Sequence, residues 1–338
     1  MRIQTFLSAV ALVAMTAAPA FADGELNLYS SRHYDTDERL YSDFEDATGI
    51  TINRIEAKAG ALMERMRAEG KNSPADVLLT VDAGNLWRAT EAELLQPIAS
   101  DVLNERIPEN LRAPAGSWYA FSQRARMIFY AKDRVENPPQ TYEALADPQY
   151  EGRVCARSSS NIYMQSLLGS IIAHAGSEAA HAWTQGLYDN LARKPQGGDT
   201  DQLRGLLSGE CDIAIGNSYY FARALRKPVK GLSDGIDAIG WVFPNQEDRG
   251  SHVNVSGGGV AAHAPNRENA IRFLEYLASD SAQAYFSAGN DEFPVVSGAE
   301  IAQSAAALGE FTADGLNVSE LGANQKEAQM IYDRVGYP

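Results

Sequence analysis

Three short stretches of this chain carry side chains able to hold a hard, highly charged cation. Gly216-Asn217-Ser218-Tyr219-Tyr220 follows the apolar run 213–215 and precedes a helical pattern over 221–226. His33-Tyr34 follows the strand-like run 26–29 and precedes Asp35-Thr36, which can cap a helix containing Leu40, Tyr41 and Phe44. Tyr163 follows the short strand pattern 153–156 and the capping run Ser158-Ser159-Ser160-Asn161, after which 165–175 reads as helix. Each stretch lies where a strand gives way to a helix, the place where α/β folds gather ligands at helix N-termini. An adjacent tyrosine pair means little alone, since 15 Tyr in 338 residues yield about 0.6 such pairs by chance. The combined set is more telling: phenolate and imidazole suit a transition metal, and three phenolates neutralise a trivalent ion. Ferric iron is the ion this donor set suits best.

The elements that must position these turns follow from hydrophobic pattern. Strand 50–55, a helix over 60–70 with Leu62, Met63 and Met66 on one side, the apolar strand 75–81 and a helix over 85–95 form a β-α-β-α-β series typical of a parallel sheet. A long extended run, 118–131, is able to cross between domains. Thr141 can cap a helix over 142–146, and a second α/β unit then develops. It comprises strand 153–156, helices to 175 and over 177–192, a turn at 195–198, a helix over 201–207 and strand 211–215. Strands over 236–243 and 252–256 follow, then an amphipathic helix over 266–279 with Ile271, Leu274 and Leu277 inward, then a mostly helical remainder. Two strands flanking a whole α/β unit, one near Arg124 and one over 255–260, describe a chain that leaves one domain, builds another and returns. The expected division is a signal over 1–22, a discontinuous N-terminal lobe of 23–122 and 256–290, and a C-terminal lobe of 123–255 and 291–338.

Bulk properties narrow the setting. Arg2, the apolar run 3–15 and Ala20-Phe21-Ala22 read as an export signal cleaved before Asp23. No later stretch has the roughly 20 apolar residues needed to span a bilayer. The two cysteines, Cys155 and Cys211, both lie far from the new N-terminus, so no lipid attachment is expected there. A periplasmic, unanchored, monomeric protein is the expectation. The net charge of −15 argues against nucleic acid or an anionic membrane as partner and is compatible with attracting cations. Export favours a Cys155–Cys211 disulfide over two buried thiols.

The segments Leu28-Tyr29-Ser30-Ser31-Arg32-His33-Tyr34, Arg157-Ser158-Ser159-Ser160-Asn161-Ile162-Tyr163 and Gly216-Asn217-Ser218-Tyr219-Tyr220, in this order behind an export signal, resemble those of periplasmic ferric iron-binding proteins that feed ABC transporters. The similarity runs over most of the mature chain and is greatest to the cyanobacterial-type members. It implies a type II periplasmic-binding-protein fold, an α/β architecture of two lobes joined by hinge strands. It implies His33 and Tyr34 from the N-terminal lobe and Tyr163, Tyr219 and Tyr220 from the C-terminal lobe as iron(III) ligands, with an inner-membrane permease as partner. It also implies an arginine behind the site, Arg124, although Arg126 faces the same way on a strand. Whether an anion completes the shell, and whether ferrous iron is also carried, stay open.

Other readings compete. The same fold could bind another metal or an organic solute such as a polyamine, although the proposed turns offer few carboxylates. Gly231-Leu232-Ser233-Asp234-Gly235 matches a serine-hydrolase elbow, but lacks the preceding strand and following helix that the motif needs. Gly257-Gly258-Gly259-Val260-Ala261-Ala262 fits a relaxed dinucleotide fingerprint, but Pro265 blocks the helix that should start there. His174, His181, His252 and His263, like Tyr29, Tyr41, Tyr119, Tyr130 and Tyr142, lack comparable company and read as structural or surface residues. A carrier without enzymatic activity is the expectation.

Overall fold

The computed structural model describes residues 24–32 and 35–338. The expected export signal and the expected ligands His33 and Tyr34 lie outside the described residues. The chain begins with β1 (Gly24–Ser30), α1 (Glu38–Thr48), β2 (Ile50–Glu56), α2 (Ala59–Glu69), β3 (Val77–Val81), α3 (Ala83–Glu91) and α4 (Asp101–Arg106). The long strand β4 (Tyr119–Ala131) leads to β5 (Val154–Cys155), α5 (Ile162–Asp189), α6 (Asp199–Ser208), β6 (Ile213–Asn217), α7 (Ser218–Arg226) and β7 (Ile239–Val242). The return strand β8 (Val253–Val260) precedes α8 (Arg267–Leu277), α9 (Asp280–Asn290), α10 (Gln303–Ala306), α11 (Ser319–Ala323) and α12 (Gln325–Val335).

Strand order is β2-β1-β3-β8-β4-β6-β5, with β7 also on β4. β1 pairs in parallel with β2 and β3, and β5 with β6, whereas β8 and β4 run antiparallel to their neighbours. β4 is the link. Its first half pairs with β8, from Tyr119 opposite Gly258 to Ala125 opposite Val253, and its second half pairs with β6, from Arg126 opposite Asn217 to Tyr130 opposite Ile213. One apolar core lies around β1, β3, α1, α3 and α8, and includes Leu28, Phe44, Leu79, Leu86 and Phe273. Two others lie on opposite faces of the β4–β6 half. Ile128, Ile213 and Ile215 point to α5 and α12, while Met127, Phe129 and Ala214 point to the side of α6 and α7. This is the two-residue alternation that a sheet covered on both faces requires.

Several elements differ from their sequence pattern for local reasons. α1 starts only at Glu38, after a 3-10 turn over Asp35–Asp37, and Asp37 stands at its N-cap without a side-chain capping bond. The Asp37 carboxylate instead accepts Arg32 Nε at 2.9 Å. The segment 142–146 closes as a 3-10 turn (Glu143–Ala146) capped by the Thr141 hydroxyl, and the strand expected over 236–243 is reduced to β7 because Ser233–Ala238 coils as 3-10. The two helices expected over 165–175 and 177–192 run on from one another as α5, broken at Gly176, whose φ of 81° falls in the left-handed region.

The glycines 257–259 lie inside β8, so no dinucleotide turn forms. A Cβ on Gly257 would sit 2.4 Å from the Tyr119 carbonyl and one on Gly259 2.1 Å from that of Ser117. They are glycines because neighbouring backbone comes too close for any side chain. The disulfide joins Cys155 to Cys211. It ties β5 to the start of β6 across a 56-residue separation, and a closed loop of that length contributes ~4 kcal/mol by restricting the unfolded chain.

His252, just before β8, is buried, and its N–H donates to the Tyr142 hydroxyl. Burial, reinforced by the Arg126, Arg124 and Arg249 guanidinium groups, pushes its imidazole down to about 3. An unfolded histidine titrates near 6.5, so the unfolded chain binds the extra proton between these two values. The neutral ring therefore contributes its full stability above pH 6.5 and loses it progressively as pH falls toward 3. Acidification of the metal-free protein from pH 7 to pH 5 should cost about 2 kcal/mol from this residue alone. Denaturant unfolding at each pH should give a flatter slope for His252→Gln whatever that variant's absolute stability.

Candidate metal-binding site

Tyr163 is the second residue of α5, and Tyr219 and Tyr220 are the second and third of α7. Asn161 caps α5 by accepting the Tyr163 N–H at 3.2 Å, which fixes the helix start. The parallel pairing of β5 with β6 brings the two helix N-termini side by side. The phenol oxygens of Tyr163 and Tyr219 lie 3.5 Å apart, and the Tyr219 and Tyr220 rings pack with centroids 4.3 Å apart. Metal–oxygen bonds of about 2 Å let two ligand oxygens on one ion stand up to ~4 Å apart, so Tyr163 and Tyr219 are within reach of a single cation. Tyr219 is buried, whereas Tyr163 and Tyr220 are half-buried. Three of the four expected tyrosines are thus together; the fourth, Tyr34, and His33 lie outside the described residues.

Positive charge is packed behind the phenols. The guanidinium carbons of Arg124, Arg126 and Arg157 lie 5.6, 5.9 and 5.8 Å from the Tyr163 ring centroid, and that of Arg223 lies 5.4 Å from the Tyr219 ring. Arg124 donates to Ser256 Oγ at 2.9 Å and faces Glu292 at 3.7 Å. Its Nε and Nη2, though buried, have no hydrogen-bond acceptor among the described residues. Burial opposes the Arg124 charge, but Tyr163, Glu292, Tyr219 and Asp82 outweigh it and hold the guanidinium above its ordinary range. For Tyr163 burial pushes the phenol up, and the opposing pull of Arg124 and of the Tyr219 hydroxyl does not cancel it. Without a bound cation this phenol keeps its proton.

The turn that offers Tyr219 and Tyr220 is held by Asp199, the first residue of α6. Its Oδ2 accepts Arg126 Nη1 at 2.6 Å and the Asn217 N–H at 2.8 Å, while Asn217 Oδ1 accepts Arg126 Nη1 at 2.9 Å. Arg157 Nη1 lies 3.5 Å from Asp199 Oδ1. At its other end α7 is tied down by Arg226, which donates to both Asp291 oxygens at 2.7 and 2.9 Å. Sequence pattern missed Asp199, because the apparent helix starts at Asp201. Arg126 was within reach of sequence reasoning through its two-residue spacing from Arg124, and Arg157 through its place in the segment leading to Tyr163.

The competing motifs do not assemble sites. Ser233 Oγ donates to the Ala224 and Lys227 carbonyls and accepts the Val229 N–H, so it is bound into a loop with no strand before it. His174 is paired with Asp314 at 2.7 Å, and the hydroxyl of Tyr29 with Glu69 at 2.9 Å. A cavity of about 620 Å³ opens beside Gln123, lined by Phe293, Pro294, Val295, Ile301 and Phe311, but none of the tyrosines of the cluster lines it.

Two sheet halves sharing β4, with tyrosines clustered at strand-to-helix turns, define a periplasmic binding protein of the type II fold. The chain belongs to the family of bacterial extracellular solute-binding proteins, which it matches over residues 39–313. It is 49% identical over 341 residues to Iron uptake protein A2 of Synechocystis, covering 98% of this chain and 97% of that protein. A solved structure of the Trichodesmium protein called IdiA or FutA, in complex with iron and citrate ligands, matches with a TM-score of 0.90 at 50% identity, covering 93% of this chain and all of that one. Apo FutA2 from Synechocystis matches with a TM-score of 0.88 at 51% identity, over 93% of this chain and 99% of that one.

If Asp199 is what holds the β6–α7 turn, Asp199→Asn leaves the buried Arg126 and the half-buried Arg157 without their counter-charge. Breaking such a pair from one side should cost about 3–5 kcal/mol. Urea unfolding of the metal-free variant checks this.

Proposed function

We propose that this protein captures ferric iron in the periplasm and delivers it to an ABC importer, holding the ion with His33, Tyr34, Tyr163, Tyr219 and Tyr220. The observation that carries this reading is the 3.5 Å approach of the Tyr163 and Tyr219 phenol oxygens, with the Tyr220 ring packed against that of Tyr219, over a bed of guanidinium groups. The iron-binding relatives named above support it. A polyamine would meet these same guanidinium groups as like charges.

The lobes in this reading are 23–122 with 256–290 and 123–255 with 291–338. Support for two lobes comes from the separate apolar cores and from β4, which belongs to both halves of the sheet. The three C-terminal tyrosines hold the ion while the cleft is open, and His33 and Tyr34 close over it. Arg124 and its neighbours stabilise the phenolates once the protons have left. Transfer to an inner-membrane permease follows reopening, protonation, or reduction to ferrous iron, which binds phenolate less strongly. The carrier works as a monomer.

Titration with ferric iron should produce an orange to red colour from phenolate charge transfer, and Tyr219→Phe should reduce both the band and the affinity by at least tenfold. Undiminished ferric binding by that variant overturns the assignment. Each phenol is protonated near neutrality, so binding releases protons, and affinity measured against a chelator should fall as pH drops from 8 to 6. If three protons are displaced, the fall approaches roughly a thousandfold per pH unit.

A further inference from the structure

Asp82 stands at the end of β3 with φ 75°, a left-handed backbone value that side chains larger than glycine's rarely adopt. Its carboxylate is fully buried, and three donors from three different elements converge on it. Gly84 N–H, in the first turn of α3, donates to Oδ1 at 2.8 Å. Asn254 Nδ2, on β8, donates to Oδ2 at 2.9 Å. Ser166 Oγ, on α5, lies 2.8 Å from Oδ1 and 3.0 Å from Oδ2. The backbone is drawn into the same knot: Asp82 N–H donates to the Val255 carbonyl at 2.9 Å, and Ala83 N–H to Asn254 Oδ1 at 2.9 Å.

The position of this knot gives it meaning. α3 belongs to the core around β1 and β3, whereas α5 belongs to the core around Ile128 and Ile213. Asn254 lies opposite Arg124 on β4, where the chain crosses from one half of the sheet to the other. Ser166 is three residues after Tyr163 and so lies one turn along the same face of α5. The serine therefore connects the helix that carries Tyr163 to the far half of the molecule, at the crossing itself. A strained aspartate persists at such a place only because its surroundings hold it.

We infer that Asp82, Asn254 and Ser166 form a hinge pin in which Asp82 is a positioning residue: it fixes the tilt of α5, and with it Tyr163, against the first lobe and so slows release of the cation. This rests on the ferric reading given above. None of the three residues is among the proposed ligands, and Ser166→Ala removes no phenol.

The test uses the full mature protein loaded with ferric iron and challenged with excess EDTA, release being followed by loss of the visible band. Ser166→Ala should release iron about tenfold faster than the unsubstituted protein, the loss of one hydrogen bond to a buried carboxylate, with the position of the band unchanged. Asp82→Asn should speed release likewise, and Ser166→Thr should restore the slower rate. Small-angle scattering of metal-free Ser166→Ala should show a larger radius of gyration. Release at the unsubstituted rate from both Ser166→Ala and Asp82→Asn overturns the pin. So does a drop in the melting temperature of metal-free Ser166→Ala with no change in release, which would assign the serine to packing alone. Absence of any band from the unsubstituted protein overturns the ferric reading instead, so the two failures are separable.

Discussion

A buried carboxylate between two guanidinium groups is the interaction on which the tyrosine cluster depends. Asp199 accepts Arg126 from β4 and the Asn217 N–H from the end of β6, and it faces Arg157 from the segment leading into α5. The three structural parts that deliver Tyr163, Tyr219 and Tyr220 therefore meet at one charge. Removing such a charge from water is costly unless its lone pairs are satisfied, and here most of the satisfaction comes from groups that must be in place for the phenols to converge. Packing of the second half and convergence of the three tyrosines therefore share this carboxylate.

The surplus of positive charge behind the phenols has a chemical consequence. Burial alone keeps the Tyr163 proton on, and a neutral phenol is a poor ligand. Guanidinium groups whose buried N–H donors lack acceptors among the described residues lower the cost of making phenolates in a place where water is scarce. In the proposed function this arrangement keeps Tyr163 neutral without a cation and tolerates its negative charge when a trivalent ion arrives. The overall acidity of the chain, −15, works at longer range and is compatible with drawing cations toward the surface.

The crossing of β4 and β8 combines rigidity with a place to bend. Glycines 257–259 let the strands on either side approach to backbone contact, and the long β4 carries hydrogen bonds from one half of the sheet into the other. Directional contacts at the crossing join the two halves: Arg124 with Ser256 and Glu292, and Asp82 with Asn254 and Ser166. Apolar residues of the C-terminal segment, Val295, Val296, Val318 and Leu321, also pack into the core around β1 and β3.

What the sequence determined by itself was local. Alternation and capping residues marked β1 to β8 and, α4 apart, the helices as far as α8, Gly176 marked the break in α5, and tyrosines at strand-to-helix turns marked a candidate metal site. These signals are legible because period, caps and turn residues act over a few positions. Where local signals compete, as at 35–37 and 233–238, tertiary contacts chose the 3-10 turn: Asp37 was drawn to Arg32, and Ser233 to the Ala224 carbonyl. Only the tertiary structure decided that Tyr163 and Tyr219, 56 residues apart, would stand with their oxygens 3.5 Å apart. It alone brought Asp199 and Asp82 to their partners, because a buried carboxylate is defined by donors that arrive from distant parts of the chain and leave no pattern around it.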